Sequence, residues 1–89
     1  MRHNDFIEKA KELVMDYTNQ HSDISDGKAR LISIDDVFVV WSVKALQNSK
    51  ALLSTTNFDG MYYEVTLNGD KDEIYFDAYK KFQNIKVEV

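Results

Sequence analysis

From Asp5 to Gln20 the apolar residues Phe6, Ile7, Ala10, Leu13, Val14 and Tyr17 recur at the spacing of one helical face, with Lys9, Lys11, Glu12 and Asp16 on the other. This predicts an amphipathic helix. Asp5 stands where an N-cap would accept backbone N–H groups and Glu8, three residues on, completes a capping-box pattern; both acids favour the positive end of the helix dipole. His21 to Asp35 then reads as a polar connection with Asp26-Gly27 as its turn signal and Ile24, Leu31 and Ile32 as anchors onto a core. It is expected to be the most mobile stretch, and Leu31 to Ile34 fits a short strand or a turn equally well.

Between Asp36 and Phe76 the period changes to that of strands: β-branched and aromatic runs are separated by Asn48-Ser49, Asp59-Gly60 and Asn68-Gly69, dipeptides suited to tight antiparallel turns. Four short strands in a meander are the natural reading. If the first two dipeptides are two-residue loops, Trp41 lies opposite Thr56 and Thr56 opposite Tyr63. One face then collects Val37, Val39, Trp41, Val43, Ala45, Leu52, Ser54, Thr56, Tyr63, Val65 and Leu67. The other collects Val40, Ser42, Lys44, Leu53, Thr55, Tyr62, Glu64 and Thr66. The first is the more apolar and should receive the helix, burying Trp41. A two-residue loop at Asn68-Gly69 would set Glu73 opposite Glu64, an unfavourable pairing, so a longer loop over Asn68 to Asp72 is expected.

Beyond Phe76, Tyr75, Ala78, Tyr79 and Phe82 fall at helical spacing with Asp77 as an N-cap, which predicts a short helix from Asp77 to Asn84. Ile85, Val87 and Val89 alternate as a possible last strand. The expected fold is α+β: an N-terminal amphipathic helix packed on an antiparallel β-meander of about four strands, followed by a short C-terminal helix.

At 89 residues, residues 1–89 fit one domain with one modest core, and a deep substrate cavity is not expected. The absence of Cys removes thiol chemistry, disulfides and a zinc ribbon, and suits a reducing compartment. No stretch has the length of a membrane span or the apolar core of a signal peptide, so a soluble, cytoplasmic protein is expected. The net charge of −4 works against attraction to phosphate backbones, and equally allows an acidic surface to occupy a basic groove on another protein.

Candidate chemistry is sparse. Asn68, Asp70 and Asp72 match the first ligands of a calcium loop, but Glu73 stands where glycine is needed and Tyr79 where the bidentate glutamate should be, so no metal is assigned. His3 and His21 read as surface residues. Ser54, Thr55 and Thr56 have no histidine near them in sequence, Asp35-Asp36 reads as a turn and strand start, and the three glycines all lie in turns. No catalytic residue and no cofactor is assigned, and the protein is expected not to be an enzyme. The promising feature is the second sheet face and its rim, where Tyr62, Tyr75, Phe58 and Tyr79 sit among Glu64, Glu73, Asp77, Lys44 and Lys80. Tyr62, Glu64, Glu73, Tyr75, Asp77 and Tyr79 are the partner-binding candidates, unless the C-terminal helix covers them as a second core.

The runs Asp36-Val37-Phe38-Val39-Val40-Trp41, Lys44-Ala45-Leu46-Gln47-Asn48, Lys50-Ala51-Leu52-Leu53-Ser54-Thr55-Thr56, Asp59-Gly60-Met61-Tyr62-Tyr63-Glu64-Val65-Thr66, Asn68-Gly69-Asp70-Lys71 and Asp77-Ala78-Tyr79-Lys80-Lys81-Phe82 cover most of the chain. In these the chain resembles a family of small uncharacterised proteins encoded by phages and prophages of Gram-positive bacteria. The family often has Trp where Phe82 stands, a departure without bearing on function. The resemblance implies a genomic setting and brings no catalytic residues. In that setting the expected role is a non-catalytic accessory protein that binds and modulates or inhibits a host protein, an antiviral defence component such as a CRISPR nuclease being the sharpest version. A nucleic-acid-binding accessory protein, with Tyr62, Tyr75, Lys44 and Lys80 as a stacking platform, and a small-ligand-binding domain are the alternatives. An exposed edge strand leaves monomer and homodimer both open.

Overall fold

The computed structural model describes residues 1–21, 31–57 and 59–89; Ile24, Asp26-Gly27 and Phe58 lie outside them. Helix α1 (His3–Gln20) packs on one face of an antiparallel meander of β1 (Val37–Ala45), β2 (Asn48–Thr55), β3 (Met61–Asn68) and β4 (Glu73–Lys80), in that spatial order. Phe6, Ala10, Val14 and Thr18 form the buried stripe of α1, and Ile7, Leu13, Met15 and Tyr17 pack beside it. The helix starts two residues before Asp5. Its N-cap is Arg2, with no side-chain cap, so the Asp5–Glu8 capping box does not form and Asp5 lies inside the first turn. The early start has a cause in tertiary contact: the His3 ring lies between Ser42 and Ser49 of the sheet, with Nε2···Oγ 3.1 Å and Nδ1···Oγ 3.3 Å.

At the far end of α1, the Asn19 amide exchanges two hydrogen bonds with the backbone of buried Ile32, at 2.8 and 3.0 Å. Ile32 is thus the anchor the sequence suggested, whereas Leu31 is exposed and Leu31 to Ile34 contains no strand. A 3₁₀ turn, Ile34–Asp36, leads into β1, closed by a capping box between Ser33 and Asp36.

The strand faces differ from the sequence reading, for two reasons. The first hairpin turns at Leu46-Gln47 rather than Asn48-Ser49, which changes the pairing by four residues and by itself leaves the faces alone: Ala45 pairs with Asn48, and Leu46 takes a left-handed φ of 56°. The second connection spans 56–60, and Ala51 pairs with Val65 and Leu53 with Tyr63. Against the expected register this moves β2 by three residues relative to β3, an odd shift that turns its side chains over. Ser49, Ala51, Leu53 and Thr55 are buried toward the helix, and Leu52 faces away.

In β1 a bulge between Val39 and Trp41 makes the second reversal. Val37 and Val39 face the helix as expected. Past the bulge Trp41 pairs with Leu52 and Val43 with Lys50, so both point outward. Trp41 is 43% exposed and is not the buried centre the apolar pattern suggested. Only β3 keeps its expected faces throughout, with Tyr63, Val65 and Leu67 buried.

Asn68 pairs with Glu73 across a four-residue loop, close to the longer loop expected, and Asp72 there has φ 52°. No C-terminal helix forms. Residues 73–80 are the fourth strand and 81–89 have no regular structure. Residues 73–80 alternate with period two instead: Ile74 and Phe76 pack on the core, where Tyr17, Tyr63 and Phe76 make ring contacts of 5.3–5.7 Å, while Tyr75, Asp77 and Tyr79 point outward.

Candidate functional site

The sheet face opposite α1 is set by alternation along each strand, and the ladder aligns its residues in rows. Trp41, Leu52, Glu64 and Asp77 form one row; Val43, Lys50, Thr66 and Tyr75 form the next; Tyr62 pairs with Tyr79, and Asn68 with Glu73. All six candidates, Tyr62, Glu64, Glu73, Tyr75, Asp77 and Tyr79, therefore share the β3–β4 half of one face. Sequence reasoning missed the other half: Phe38, Trp41, Val43 and Leu52 give β1–β2 an apolar surface. Its signal was present in the β1 pattern but hidden by the assumption of an unbroken strand.

No layer covers this face among the described residues. The chain exposes 6617 Å², where a compact monomer of its 10.4 kDa exposes about 5,400 Å². Its radius of gyration is 14.7 Å, against about 12 Å for a compact chain of this length. Residues 81–89, all exposed, and the bare sheet face both add to that excess. Patches of exposed apolar and aromatic residues with a polar rim mark interaction surfaces.

The electrostatics are acidic on the β4 side. Glu64 stands directly opposite Asp77, a like-charge pair that disfavours an empty surface. Lys50 partly offsets it through a 3.5 Å ion pair with Glu64. The Tyr75 hydroxyl donates to the Glu73 carboxylate at 2.5 Å, and that hydrogen bond, with the charge of Glu73, raises its pKa above the usual tyrosine value. Tyr63, on the buried side, is also raised, chiefly because burial disfavours the phenolate.

The two lysines of the nucleic-acid alternative are separated from the tyrosines. Lys44 pairs with Ser49 and Lys80 with Met61, both on the helix side of the sheet, so neither shares a face with Tyr62 and Tyr75.

Other chemistry stays thin. A cleft of about 450 Å³ at the β2–β3 end is lined by Phe38, Ser54, Thr56, Asp59, Tyr62 and Lys81 among others, and Ser54 spends its hydroxyl on the Met61 carbonyl at 2.8 Å. The structure does bring a histidine to serines, His3 to Ser42 and Ser49. However, both ring nitrogens are engaged by hydroxyls, which makes His3 a clamp between helix and sheet rather than a base oriented by a carboxylate. His21 stacks on Tyr17 at 4.0 Å. Asn68 Oδ1 accepts the Lys71 N–H of its own loop at 3.3 Å. Among the described residues no group of three or more His, Cys, Asp or Glu is placed to hold a metal ion, and no helix is long and apolar enough to cross a membrane.

No curated protein and no solved structure matches the chain significantly. A match to one family does extend over residues 7–89, taking in the helix from Ile7 onward, all four strands and the segment beyond them, and on that ground the chain belongs to the family of unknown function DUF6275.

Proposed function

We propose that this protein is a non-catalytic binding protein whose working surface is the uncovered sheet face, centred on Tyr62, Glu64, Glu73, Tyr75, Asp77 and Tyr79. One observation carries the reading: the residues assigned from the strand pattern to the second sheet face and its rim share one face, with tyrosines and carboxylates side by side and no covering layer among the described residues. Tyrosine supplies contact area with a polar tip, and the carboxylates select a partner with a basic surface. The resemblance to phage and prophage proteins makes that partner a host protein, whose activity is modulated or blocked when a basic groove is occupied. A defence nuclease such as a CRISPR effector is the sharpest form of this reading. The separation of Lys44 and Lys80 from the tyrosines favours it over nucleic-acid binding.

The test is capture of host protein by tagged chain, comparing wild type with the double variant Tyr62→Ala/Tyr75→Ala and with charge reversal at Glu64, Glu73 and Asp77. Central interface tyrosines are worth about 2 kcal/mol or more, so the double variant should weaken binding at least roughly thirtyfold. Melting should stay within a few degrees. Undiminished capture by both variants would refute the assignment.

A further inference from the structure

We propose that the segment 81–89 is a strand lacking its partner in the isolated chain, and that it pairs with the β1 edge of a second copy, so that two chains exchange C-terminal strands in a symmetric dimer. Past the Lys81 N–H to Gly60 carbonyl bond of 2.6 Å the segment has no regular structure, although Ile85, Val87 and Val89 alternate with Lys86 and Glu88 as a strand requires. All three apolar residues are exposed, Val87 at 76%. The family match runs through this segment to residue 89, so it belongs to the shared domain and is not an appendage.

The receiving edge has the complementary pattern. β1 is an edge strand, and its regular stretch beyond the bulge is Trp41–Ala45, as long as Ile85–Val89. Trp41, Val43 and Ala45 point outward, where Ile85, Val87 and Val89 would continue the apolar surface. Ser42 and Lys44 point to the helix side, where Lys86 and Glu88 would lie; with the two strands parallel, Ile85 beside Trp41 and Val89 beside Ala45, Glu88 lies beside Lys44. The same seating over Glu73–Asp77 of the β4 edge would set one apolar residue beside Tyr75 and the two others beside the carboxylates of Glu73 and Asp77. Edge pairing of this kind takes its affinity from backbone hydrogen bonds and its selectivity from alternate side chains. Exchange between identical chains closes as a two-fold.

The test uses the full chain in sedimentation equilibrium from low micromolar to millimolar concentration, with emission of Trp41, the single tryptophan, recorded alongside. A dimer with emission shifting to the blue as concentration rises is expected. Val87→Asp and Val43→Asp should each weaken association at least tenfold and abolish the shift, with far-ultraviolet circular dichroism unchanged. A monomer at every concentration, a dimer that persists in Val87→Asp, or a dimer without the Trp41 shift would overturn the proposal. The β3–β4 half of the face is not used, so host capture by Val87→Asp should equal wild type. That readout separates failure of this proposal from failure of the partner reading.

Discussion

Leu52 and Leu53 are adjacent, chemically identical and on opposite faces, so truncating each in turn tests the strand assignment on which the candidate site rests. Leu53 is 0% exposed, between Val39 and Tyr63 in the ladder and beneath the helix. Removing three buried carbons there forfeits their transfer energy and leaves a cavity, about 3 kcal/mol within the usual 2–5 for Leu→Ala. For a chain of this length, with a total stability of roughly 4–13 kcal/mol, that is a large share. It should lower Tm by about 12–24 °C at roughly 4–8 °C per kcal/mol. Leu52 is only half-buried, beside Trp41 and Glu64 on the outer face. Its truncation loses cross-strand contact worth about 1 kcal/mol or less. The assay is urea unfolding followed by circular dichroism, with equal m-values required before midpoints are compared. The register expected from two-residue turns places Leu52 inside and Leu53 outside. A larger loss for Leu52→Ala than for Leu53→Ala would therefore restore that register and dissolve the face described above.

The two described turn glycines should fail in different ways. A Cβ on Gly69 would overlap the Gln47 carbonyl oxygen and lie 2.7 Å from Gln47 Cβ, so Gly69→Ala and Gly69→Asn should both destabilise by about 1–3 kcal/mol in urea unfolding. Gly60 has φ +73° with only Lys81 nearby at 3.7 Å; Gly60→Ala should cost about 1 kcal/mol, and Gly60→Asn should recover most of it, because Asn tolerates that conformation. For Tyr63 the folded-state pKa lies above the unfolded value of 10.0, so the unfolded chain gives up its proton first. The stability this group contributes is complete below that value and is lost as pH rises through the folded pKa. Tyr63→Phe should flatten the alkaline limb of a stability–pH curve, and an unchanged limb would count against burial as the cause.

The helix, the meander and the shared face of the candidate residues on β3 and β4 were legible because each depends on local chemistry repeated over several residues. Phe6, Ala10 and Val14 mark a stripe whatever they pack on, and β3 alternates cleanly from Met61 to Asn68. Register was not legible, because both turns depart from the tight-turn dipeptides: the second connection runs over 56–60 and makes the odd change that turns β2 over, and the first defies local preference. Asn48-Ser49 is the better turn sequence, yet Leu46, 86% exposed, takes the left-handed conformation. That frees Asn48 to accept the Gly69 N–H at 3.1 Å and tie the two hairpin ends together. The outward Trp41 was hidden for a related reason, since a bulge in a run of β-branched residues leaves no compositional mark. The fourth strand was misread because Tyr75, Ala78 and Tyr79 fall at helical spacing, whereas pairing with β3 puts Tyr75 and Tyr79 on the outer face and Ala78, opposite Tyr63, on the inner one.

The bulge also bears on solubility. Val40 is the unpaired residue of β1, so deleting it would leave Val39 opposite Leu53 and Trp41 opposite Leu52 and keep every side chain on its present face. What would vanish is the kink. A straight apolar edge of eight residues would present an unbroken row of backbone donors and acceptors, the template on which chains stack into fibrils. Val40 can thus be dispensable for the fold of one molecule and still govern how a crowded solution of many molecules behaves, by limiting each edge to a short docking stretch.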